Sequence, residues 1–298
     1  MLLAKNTQFI IQGMTGKEGQ RALSWMTATG IQVVAGVTPG KGGQEVDGVP
    51  VYNSVAEALD KHQHISASAV YVPPRFVLGA TDEALEADIK LIHILAEGVP
   101  SRDTARLLEL ATRQKARIIG PSSIGFSVPG IGNVGSMGGG TTDQFLPPGE
   151  IGGVVVLSKS GGMANTIAAM LTEAGIAQSC VVGLGGDRLI GTTYADLLPL
   201  IEQDEKSKAV VIIGEIGGAY EEVFAEQITA QKFSKPVVAF VSGLFAETLP
   251  QGVAFGHAGA IVSKNEGTRQ GKIDAFKKAG ATVAEKPSQI VDLLRNVL

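Results

Sequence analysis

His257 is the residue in this sequence that is best placed for chemistry, because small residues flank it on both sides. The segment reads Gly256-His257-Ala258-Gly259-Ala260, so no bulky sequence neighbour encloses the imidazole ring. A neutral imidazole nitrogen, with a usual pKa of about 6.5, is a nucleophile toward phosphorus or a proton carrier. An ordinary histidine beside a turn is the alternative, and this segment alone leaves both open.

A carboxylate that could serve this histidine lies in Gly214-Glu215-Ile216-Gly217-Gly218, after a run rich in valine and isoleucine. The carboxyl end of such a strand is the rim at which open α/β sheets bind ligands. A glutamate there can accept one ring N–H of an imidazole and fix its tautomer. We expect Glu215 to orient His257, so Glu215→Gln should lower the reactivity of His257 and leave the fold intact.

Two glycine-rich turns between a strand and a helix could seat phosphate groups. They are Gly13-Met-Thr-Gly-Lys-Glu-Gly19 and Lys159-Ser-Gly-Gly-Met163. Glycines let the backbone approach a phosphate, and a helix N-terminus supplies free N–H groups. Each turn could instead bind no ligand, and for the second, simple helix capping is an equal alternative.

The first of these turns also bears on the kind of ligand. Its spacing is G-x-x-G-x-x-G, whereas a dinucleotide fingerprint is G-x-G-x-x-G with an acidic residue roughly 20 positions later. The next predicted strand ends instead in Ala35-Gly-Val-Thr-Pro-Gly-Lys-Gly-Gly43, which contains Lys41 and no carboxylate. This pattern disfavours NAD and favours a ligand with an additional phosphate. His62 and His64 are expected to be solvated, His93 to be buried with one hydrogen bond, and no metal-ligand spacing is present.

The composition excludes several function classes. The 298 residues correspond to about two domains, and 44% hydrophobic residues with 39 glycines are typical of an α/β protein with many turns. The net charge of −4 and the scattered basic residues disfavour nucleic acids and membrane surfaces as partners. Cys180 is the single cysteine, so no intrachain disulfide can form. The N-terminus lacks the apolar segment of a signal peptide, and we expect a cytoplasmic protein.

Short apolar runs alternate with amphipathic stretches along most of the chain, which predicts parallel strands with right-handed crossovers in doubly wound α/β sheets. The first series has strands Gln8–Gln12, Gln32–Thr38, Ser68–Val72, Leu91–Leu95 and Arg117–Ile119, with helices Gln20–Thr29, Val55–Lys61, Val77–Asp88 and Arg102–Gln114. The second has strands Val154–Ser158, Ser179–Gly183, Ala209–Gly214, Pro236–Val241 and Thr282–Ala284, with helices Met163–Ala174, Tyr194–Gln203, Tyr220–Gln231, Gly267–Ala279 and Ser288–Leu298.

Between the two series the pattern breaks. Residues 121–152 are rich in glycine and proline and have no sustained periodicity. A structureless loop of that length is uncommon inside one domain. We therefore predict a Rossmann-like domain over 1–125, a connecting loop over 126–150 and a flavodoxin-like domain over 151–298.

The motifs taken together resemble the α subunit of succinyl-CoA synthetase and its relatives, over almost the whole chain. The resemblance implies an N-terminal domain that binds coenzyme A (CoA) and a second, CoA-ligase domain. Six motifs in the order of that family carry it: Gly13-Met-Thr-Gly-Lys-Glu-Gly19, Gly36-Val-Thr-Pro-Gly-Lys-Gly-Gly43, Ala96-Glu-Gly-Val-Pro100, Gly185-Gly-Asp187, Gly214-Glu-Ile-Gly-Gly218 and Gly256-His-Ala-Gly-Ala-Ile261.

By motif, the resemblance also implies site residues. His257 matches the histidine that becomes phosphorylated, and Glu215 matches the glutamate beside it. The helix start at Ser160, Gly161 and Gly162 matches the seat of the phosphohistidine. The residues expected to bind CoA are Thr15, Gly16, Lys17, Glu18 and Gly19 at its phosphates, Pro39 and Lys41 toward its phosphorylated nucleotide end, and Tyr71, Pro73, Leu95, Ala96 and Glu97 along the rest of its path.

The implied reaction has three steps. A nucleoside triphosphate phosphorylates His257, the phosphohistidine transfers its phosphoryl group to a carboxylic acid, and the thiol of CoA attacks the resulting acyl phosphate. ATP or GTP with Mg²⁺ is expected mainly on a partner β subunit with an ATP-grasp fold, in an αβ or α2β2 assembly. No metal site is expected in this chain.

Three segments depart from the succinate-specific pattern. Ser122-Ser-Ile-Gly125 stands where those members have Asn-Cys-Pro-Gly, and Ser160-Gly-Gly-Met-Ala-Asn165 where they have Ser-Gly-Thr-Leu-Thr-Tyr. Together with the loop Gly132–Gly138, these segments look more like ATP-citrate lyase and citryl-CoA synthetase. Asn165 in place of tyrosine would open the pocket for a larger acid such as citrate, so succinate, malate and citrate stay open. A non-catalytic CoA-binding module is the alternative from another class, and an NAD-dependent dehydrogenase ranks third.

Overall fold

The computed structural model describes residues 2–230, 232–244, 257 and 267–298, which form two sheets of seven strands each. The first sheet has the order β3-β4-β2-β1-β5-β6-β7 and is parallel except for the β3–β4 pair. Without the edge strand β3, this is the order of a Rossmann fold. Its elements are β1 (Gln8–Gln12), α1 (Lys17–Ala28), β2 (Gln32–Val37), β3 (Glu45–Val46), β4 (Val49–Tyr52), α2 (Val55–Lys61), β5 (Ile65–Val70), a 3₁₀ turn (Pro74–Phe76), α3 (Val77–Glu86), β6 (Leu91–Ile94), α4 (Ser101–Gln114) and β7 (Arg117–Ile119).

The second sheet has the order β14-β13-β12-β10-β11-β8-β9. Its five parallel strands follow the flavodoxin order, in which the second strand along the chain lies outside the first, and β8 and β9 add an antiparallel edge. Its elements are β8 (Gly125–Val128), β9 (Gly132–Gly135), a 3₁₀ turn (Met137–Gly140), β10 (Gly153–Ser158), α5 (Gly161–Glu173), β11 (Gln178–Gly183), α6 (Tyr194–Gln203), β12 (Ser207–Gly214), α7 (Tyr220–Ala230), β13 (Val237–Val241), α8 (Arg269–Lys278), β14 (Thr282–Ala284), a 3₁₀ turn (Pro287–Gln289) and α9 (Ile290–Arg295).

The central strands are continuous apolar runs because helices cover both faces of each sheet. Every residue of β10 is buried, and so is every residue of β11. Three helices begin at a side chain that accepts a free amide group of the first turn: Ser54 caps α2, Ser160 caps α5 and Thr268 caps α8. No helix among the described residues has the length and apolar character needed to span a bilayer.

The structure corrects the expectation for the connecting loop. Within 126–150 lies most of the β8–β9 hairpin, which pairs with β11 and completes the second sheet. These strands have four residues each and are interrupted by Gly125, Gly132 and Gly135, so they are too short to show a period-two pattern. The pair β3–β4, with strands of only two and four residues, was also missed. The division at 125 and 150 itself stays a prediction.

The same hairpin joins the two halves of the chain. α1 of the first sheet packs on β9 of the second, and the amide of Asn133 donates to Thr29 Oγ1 at 3.1 Å. Met26, Phe126 and Val134 belong to one continuous buried cluster. The carboxyl ends of the two sheets are therefore held in a defined relation to each other.

Candidate functional site

Lys159, Glu215 and His257 form a contiguous charged cluster in the second half of the chain. His257 Nδ1 lies 2.6 Å from Glu215 Oε2, and Lys159 Nζ lies 2.7 Å from Glu215 Oε1. The Lys159 side chain is 2% exposed and that of Glu215 is 12% exposed, whereas the His257 side chain is 28% exposed. The hydrogen bond predicted between Glu215 and His257 is present, and the ring remains reachable from solvent.

The electrostatics of this cluster determine which ring nitrogen is free. The hydrogen bond to Glu215 raises the pKa of His257 above its ordinary value, against the opposing effects of burial and of Lys159. Burial alone would raise the pKa of Glu215, but the hydrogen bond from His257 and the charge of Lys159 hold it below its ordinary value. An ionised carboxylate only accepts hydrogen bonds. His257 therefore donates from Nδ1, and in its neutral form Nε2 carries the free lone pair.

The topology explains why these residues meet. Lys159 directly follows β10 and Glu215 directly follows β12. These neighbouring parallel strands flank the point where the strand order reverses, because β11 lies on the far side of β10. Ligands of open α/β sheets bind at the carboxyl ends of strands beside such a point. The cluster occupies the position in the second sheet that is most favourable for a ligand site.

A buried ion pair supports the backbone under Glu215. Glu221 Oε1 accepts a hydrogen bond from the Glu215 amide at 3.1 Å, and its other oxygen pairs with Lys272 Nζ. Lys272 Nζ also donates to the Gly217 carbonyl at 2.7 Å. Lys272 and Glu221 are 0% and 1% exposed. The loop that carries Glu215 is therefore held by an ion pair that water does not screen.

The predicted phosphate seat is the start of α5, at the same edge of the sheet. Ser160 is the N-cap and its side chain accepts from the Met163 amide. A Cβ at Gly161 would lie 2.3 Å from Ile124, so this glycine is required for packing, whereas Gly162 has open space around its Cα. Of these two glycines, Gly162 is the one that leaves open space at the predicted seat. Asn165 lies one turn further along α5, and its Oδ1 is buried with no hydrogen-bond partner among the described residues.

The residues predicted to bind CoA all follow the carboxyl ends of strands in the first sheet. Parallel strands end at one edge, so this placement brings the four segments together. Thr15, Gly16, Lys17, Glu18 and Gly19 follow β1, Pro39 and Lys41 follow β2, Tyr71 and Pro73 follow β5, and Leu95, Ala96 and Glu97 follow β6.

The start of α1, at the carboxyl edge of the first sheet, has features that suit a phosphate. α1 begins at Lys17 rather than at the predicted Gln20, and its N-cap is Gly16, which has no side chain to cap the first amide groups. Gly13 has φ +84°, and a Cβ there would lie 2.7 Å from the Tyr71 carbonyl oxygen. A backbone with free amides and partial positive charge is the usual anion seat at a helix N-terminus.

The side chain of Asn53 organises the loop that follows β2. The amides of Gly40 and Gly42 both donate to Asn53 Oδ1 at 3.0 Å. These amides are therefore used to shape the loop and are not free for a phosphate. Lys41, between them, is exposed. Sequence reasoning missed Asn53, because nothing in its own segment indicates the loop that it organises.

Hydrogen bonds and one close packing contact connect the predicted CoA loop to the histidine. The Ser122 amide donates to the Ala96 carbonyl at 2.8 Å, and the Gly186 amide donates to the Ser122 carbonyl at 3.2 Å. Gly186 borders the imidazole ring, since a Cβ there would lie 2.7 Å from His257 Cδ2. The Gly98 amide donates to Asp187 Oδ1 at 3.2 Å. The loop after β6 and the histidine cluster thus belong to one connected region.

Comparisons with known proteins agree with this arrangement. The family model described as CoA binding domain matches residues 4–98, and the model described as CoA-ligase matches residues 157–282. Subunit alpha 2 of the ADP-forming succinate–CoA ligase of Archaeoglobus fulgidus is 42% identical over 298 residues, which cover 100% of this chain and 99% of that relative. This chain belongs to the CoA-ligase α-subunit family.

Other members of the CoA-ligase α-subunit family differ in their acid. An ADP-forming sulfoacetate–CoA ligase subunit from Acholeplasma is 40% identical over 297 residues, covering 100% of this chain and 98% of the relative. The structure of ATP citrate lyase from Methanothrix soehngenii with citrate and coenzyme A aligns with a TM-score of 0.87 at 27% identity. That alignment covers 100% of this chain and 50% of the lyase chain.

Within this α-subunit-family site, sequence reasoning missed Lys159 and Asp187 as neighbours of the histidine cluster. Both lie inside motifs that were noticed, but no local signal shows that Lys159 is buried against Glu215 or that Asp187 reaches the first domain. Gly256, Ala258, Gly259 and Ala260, which flank His257, lie outside the described residues. The described part of the chain has no cluster of three or more residues able to hold a metal ion.

The surroundings of His93 and His62 differ from those of His257. His93 is buried, its Nε2 contacts the Ser123 carbonyl at 2.9 Å, and burial lowers its pKa to about 4, as expected for a core histidine. His62, expected to be solvated, instead contacts the Tyr52 hydroxyl at 3.1 Å.

Proposed function

We propose that this chain is the CoA-binding α subunit of an NDP-forming acid–CoA ligase, in which His257 carries the phosphoryl group. The observation that carries this proposal is the His257–Glu215 hydrogen bond at the carboxyl edge of the ligase sheet, connected to the loop after β6 of the CoA-binding domain. A non-catalytic CoA-binding module would leave a solvent-reachable histidine with an oriented, free Nε2 unexplained.

The chain's own residues perform the phosphoryl steps. His257 Nε2 attacks the terminal phosphorus of a nucleoside triphosphate, the bond to the leaving nucleoside diphosphate breaks, and the ring proton stays on Nδ1, hydrogen-bonded to Glu215. A carboxylate oxygen of the acid then attacks this phosphorus, and the N–P bond breaks to return neutral His257. The N-terminus of α5 stabilises the phosphoryl charge in both steps as a preorganised dipole.

CoA supplies the thiol that displaces phosphate from the acyl phosphate and ends as the thioester. The residues present fit this group, because no side chain caps the first amides of α1, which follow Gly16, and two lysines, Lys17 and Lys41, are exposed in the loops after β1 and β2. We assign the phosphates of CoA to Thr15–Gly19 and its additional phosphate to Lys41. The path past Tyr71, Pro73 and Leu95–Glu97 leads toward His257.

The acid is a di- or tricarboxylic acid or a close analogue. The relatives favour no single acid, since the succinate and sulfoacetate enzymes are 42% and 40% identical. Citrate is supported by the lyase match and by Asn165, whose Oδ1 has no hydrogen-bond partner among the described residues. Its amide group can accept and donate hydrogen bonds to a hydroxy acid. A citrate–CoA ligase small subunit is therefore the second candidate.

The nucleotide with its Mg²⁺ binds to a partner β subunit of the ATP-grasp type, in a cytoplasmic αβ or α2β2 complex. The experiment is to express the chain with a candidate ATP-grasp subunit from its own genome and to offer succinate, malate, citrate and sulfoacetate. Acid-dependent CoA thioester formation with acid-labile phosphate on the chain supports the proposal. Activity with succinate alone would contradict the assignment of Asn165 to a larger acid such as citrate. No activity with any acid would contradict the ligase assignment.

A further inference from the structure

Lys159 is a buried lysine that the phosphoryl steps above do not use. Its side chain is 2% exposed, and its Nζ lies 2.7 Å from Glu215 Oε1 and 5.6 Å from the centre of the Tyr220 ring. Burying an ammonium group is costly unless a carboxylate or an aromatic face compensates it. Lys159 has both, which indicates that its charge has a defined task at this place.

The two oxygens of Glu215 are divided between Lys159 and His257. Oε1 faces Lys159 and Oε2 faces Nδ1 of His257, so a rotation of the carboxylate would break both contacts. The backbone of Lys159 is also fixed: its amide donates to the Tyr194 hydroxyl at 3.3 Å, which in turn donates to the Ile213 carbonyl at 2.8 Å. Lys159 is thereby anchored to the end of the strand that carries Glu215.

We propose that Lys159 is a positioning residue for the phosphorylation of His257: it holds the Glu215 carboxylate ionised and oriented, so that His257 keeps its proton on Nδ1 and presents Nε2. The proposal rests on the proposed function. The charge of Lys159 is one of the causes that lower the pKa of Glu215. Lys159 acts through Glu215 and is not itself a catalytic residue.

The first test reads the tautomer of His257 directly by ¹⁵N NMR of the full chain. The neutral wild-type ring is expected to carry its proton on Nδ1. Lys159→Met removes the charge and keeps the apolar stem, and the Nε2–H tautomer is then expected to appear. Lys208→Met is the matched control at an exposed position, and the buried His93 reports whether the fold persists.

The second test is a double-mutant cycle on the rate of phosphohistidine formation in the complex with the partner subunit. Lys159→Met is expected to slow this step by about tenfold or more, the usual effect of losing a group that orients a functional side chain. In a Glu215→Gln background the same substitution is expected to have little further effect, because its target is already gone.

Retention of the Nδ1–H tautomer in Lys159→Met, or independent effects of the two substitutions on the rate, would overturn the proposal. Lys159→Gln removes the same charge with a shorter polar side chain and replaces the methionine variant if that variant does not fold. Absence of phosphate on His257 in the wild-type complex would instead contradict the proposed function. The tautomer comparison would then still decide whether Lys159 positions Glu215.

Discussion

Lys272→Met tests whether the loop that carries Glu215 depends on the buried ion pair with Glu221. Both side chains are almost fully excluded from solvent, at 0% and 1% exposure, so the cost of breaking the pair is not reduced by solvent screening. Removing one partner of a buried pair typically costs about 3–5 kcal/mol, because the remaining charge is left uncompensated. Glu221 would lose this partner while it still accepts the hydrogen bond from the Glu215 amide.

The double variant Lys272→Met with Glu221→Gln removes both charges, and the glutamine oxygen can still accept from the Glu215 amide. Replacing both members of a buried pair is often close to neutral. The double variant is therefore expected to regain most of the free energy of unfolding lost by Lys272→Met. Lys277→Met, at an exposed position of the same helix, is the matched control and should change stability little.

The assay is urea unfolding followed by circular dichroism, with midpoints compared among the four proteins. For slopes of about 1–3 kcal/mol per molar urea, the single variant should lower the midpoint by about 1 M or more. Equal loss in the single and double variants would refute the reasoning, because it would show that the uncompensated charge of Glu221 is not the cause. A loss in Lys272→Met no larger than in Lys277→Met would refute it as well.

Three further predictions concern the reaction itself. Glu215→Gln replaces the charged acceptor that raises the pKa of His257 with a neutral amide oxygen, so phosphohistidine formation should slow by about 10- to 100-fold and its low-pH limb should move to lower pH. An unmoved limb in a pH–rate profile would contradict this. Gly186→Ala places a Cβ 2.7 Å from His257 Cδ2, so displacement of the ring should slow phosphorylation by more than about tenfold. The affinity for CoA, measured by calorimetry, should stay unchanged, and a normal phosphorylation rate would show that the ring does not need its present position. Lys41→Ala should weaken CoA binding, measured by calorimetry, by about tenfold, because one charged hydrogen bond is lost. Binding of 3′-dephospho-CoA should be unchanged, and equal weakening for both ligands would exclude a contact between Lys41 and the additional phosphate.

The chemical type of the residues and their position at the ends of strands were sufficient to predict part of this site. Glu215 was paired with His257 because a carboxylate at the carboxyl end of a strand is placed to orient an imidazole, and the 2.6 Å contact is present. The strands that bring these residues together, such as β10 and β12, are long apolar runs whose pattern is evident without a structure.

The contacts that depend on packing could not be predicted in the same way. Lys159 follows a strand in a motif typical of a phosphate seat, but its burial depends on the neighbouring end of β12 and on Tyr220 from α7. Gly161 resembled a phosphate-binding glycine, whereas Ile124, distant in sequence, fills the space beside it. The β8–β9 hairpin was overlooked because four-residue strands bounded by glycines have no detectable period.

The pH dependence of stability follows from the same cluster. The pKa of His257 is raised in the folded chain, so its contribution is fully present below about 6.5, the usual histidine value, and is lost as pH rises through the folded value. Glu215, with a lowered pKa, contributes above its unfolded value and loses this contribution as pH falls. The two groups together therefore favour the folded state most at pH values between the unfolded pKa of Glu215 and the unfolded pKa of His257.

The most direct test of the central claim is the identification of the phosphorylated residue. The chain, in complex with its ATP-grasp partner, is incubated with Mg²⁺ and a nucleoside triphosphate labelled in the terminal phosphate, and the acid-labile label is mapped by mass spectrometry. Label is expected on His257, and it should be absent in His257→Asn and be discharged when both an acid substrate and CoA are added. Label on another residue, or thioester formation that survives in His257→Asn, would contradict it.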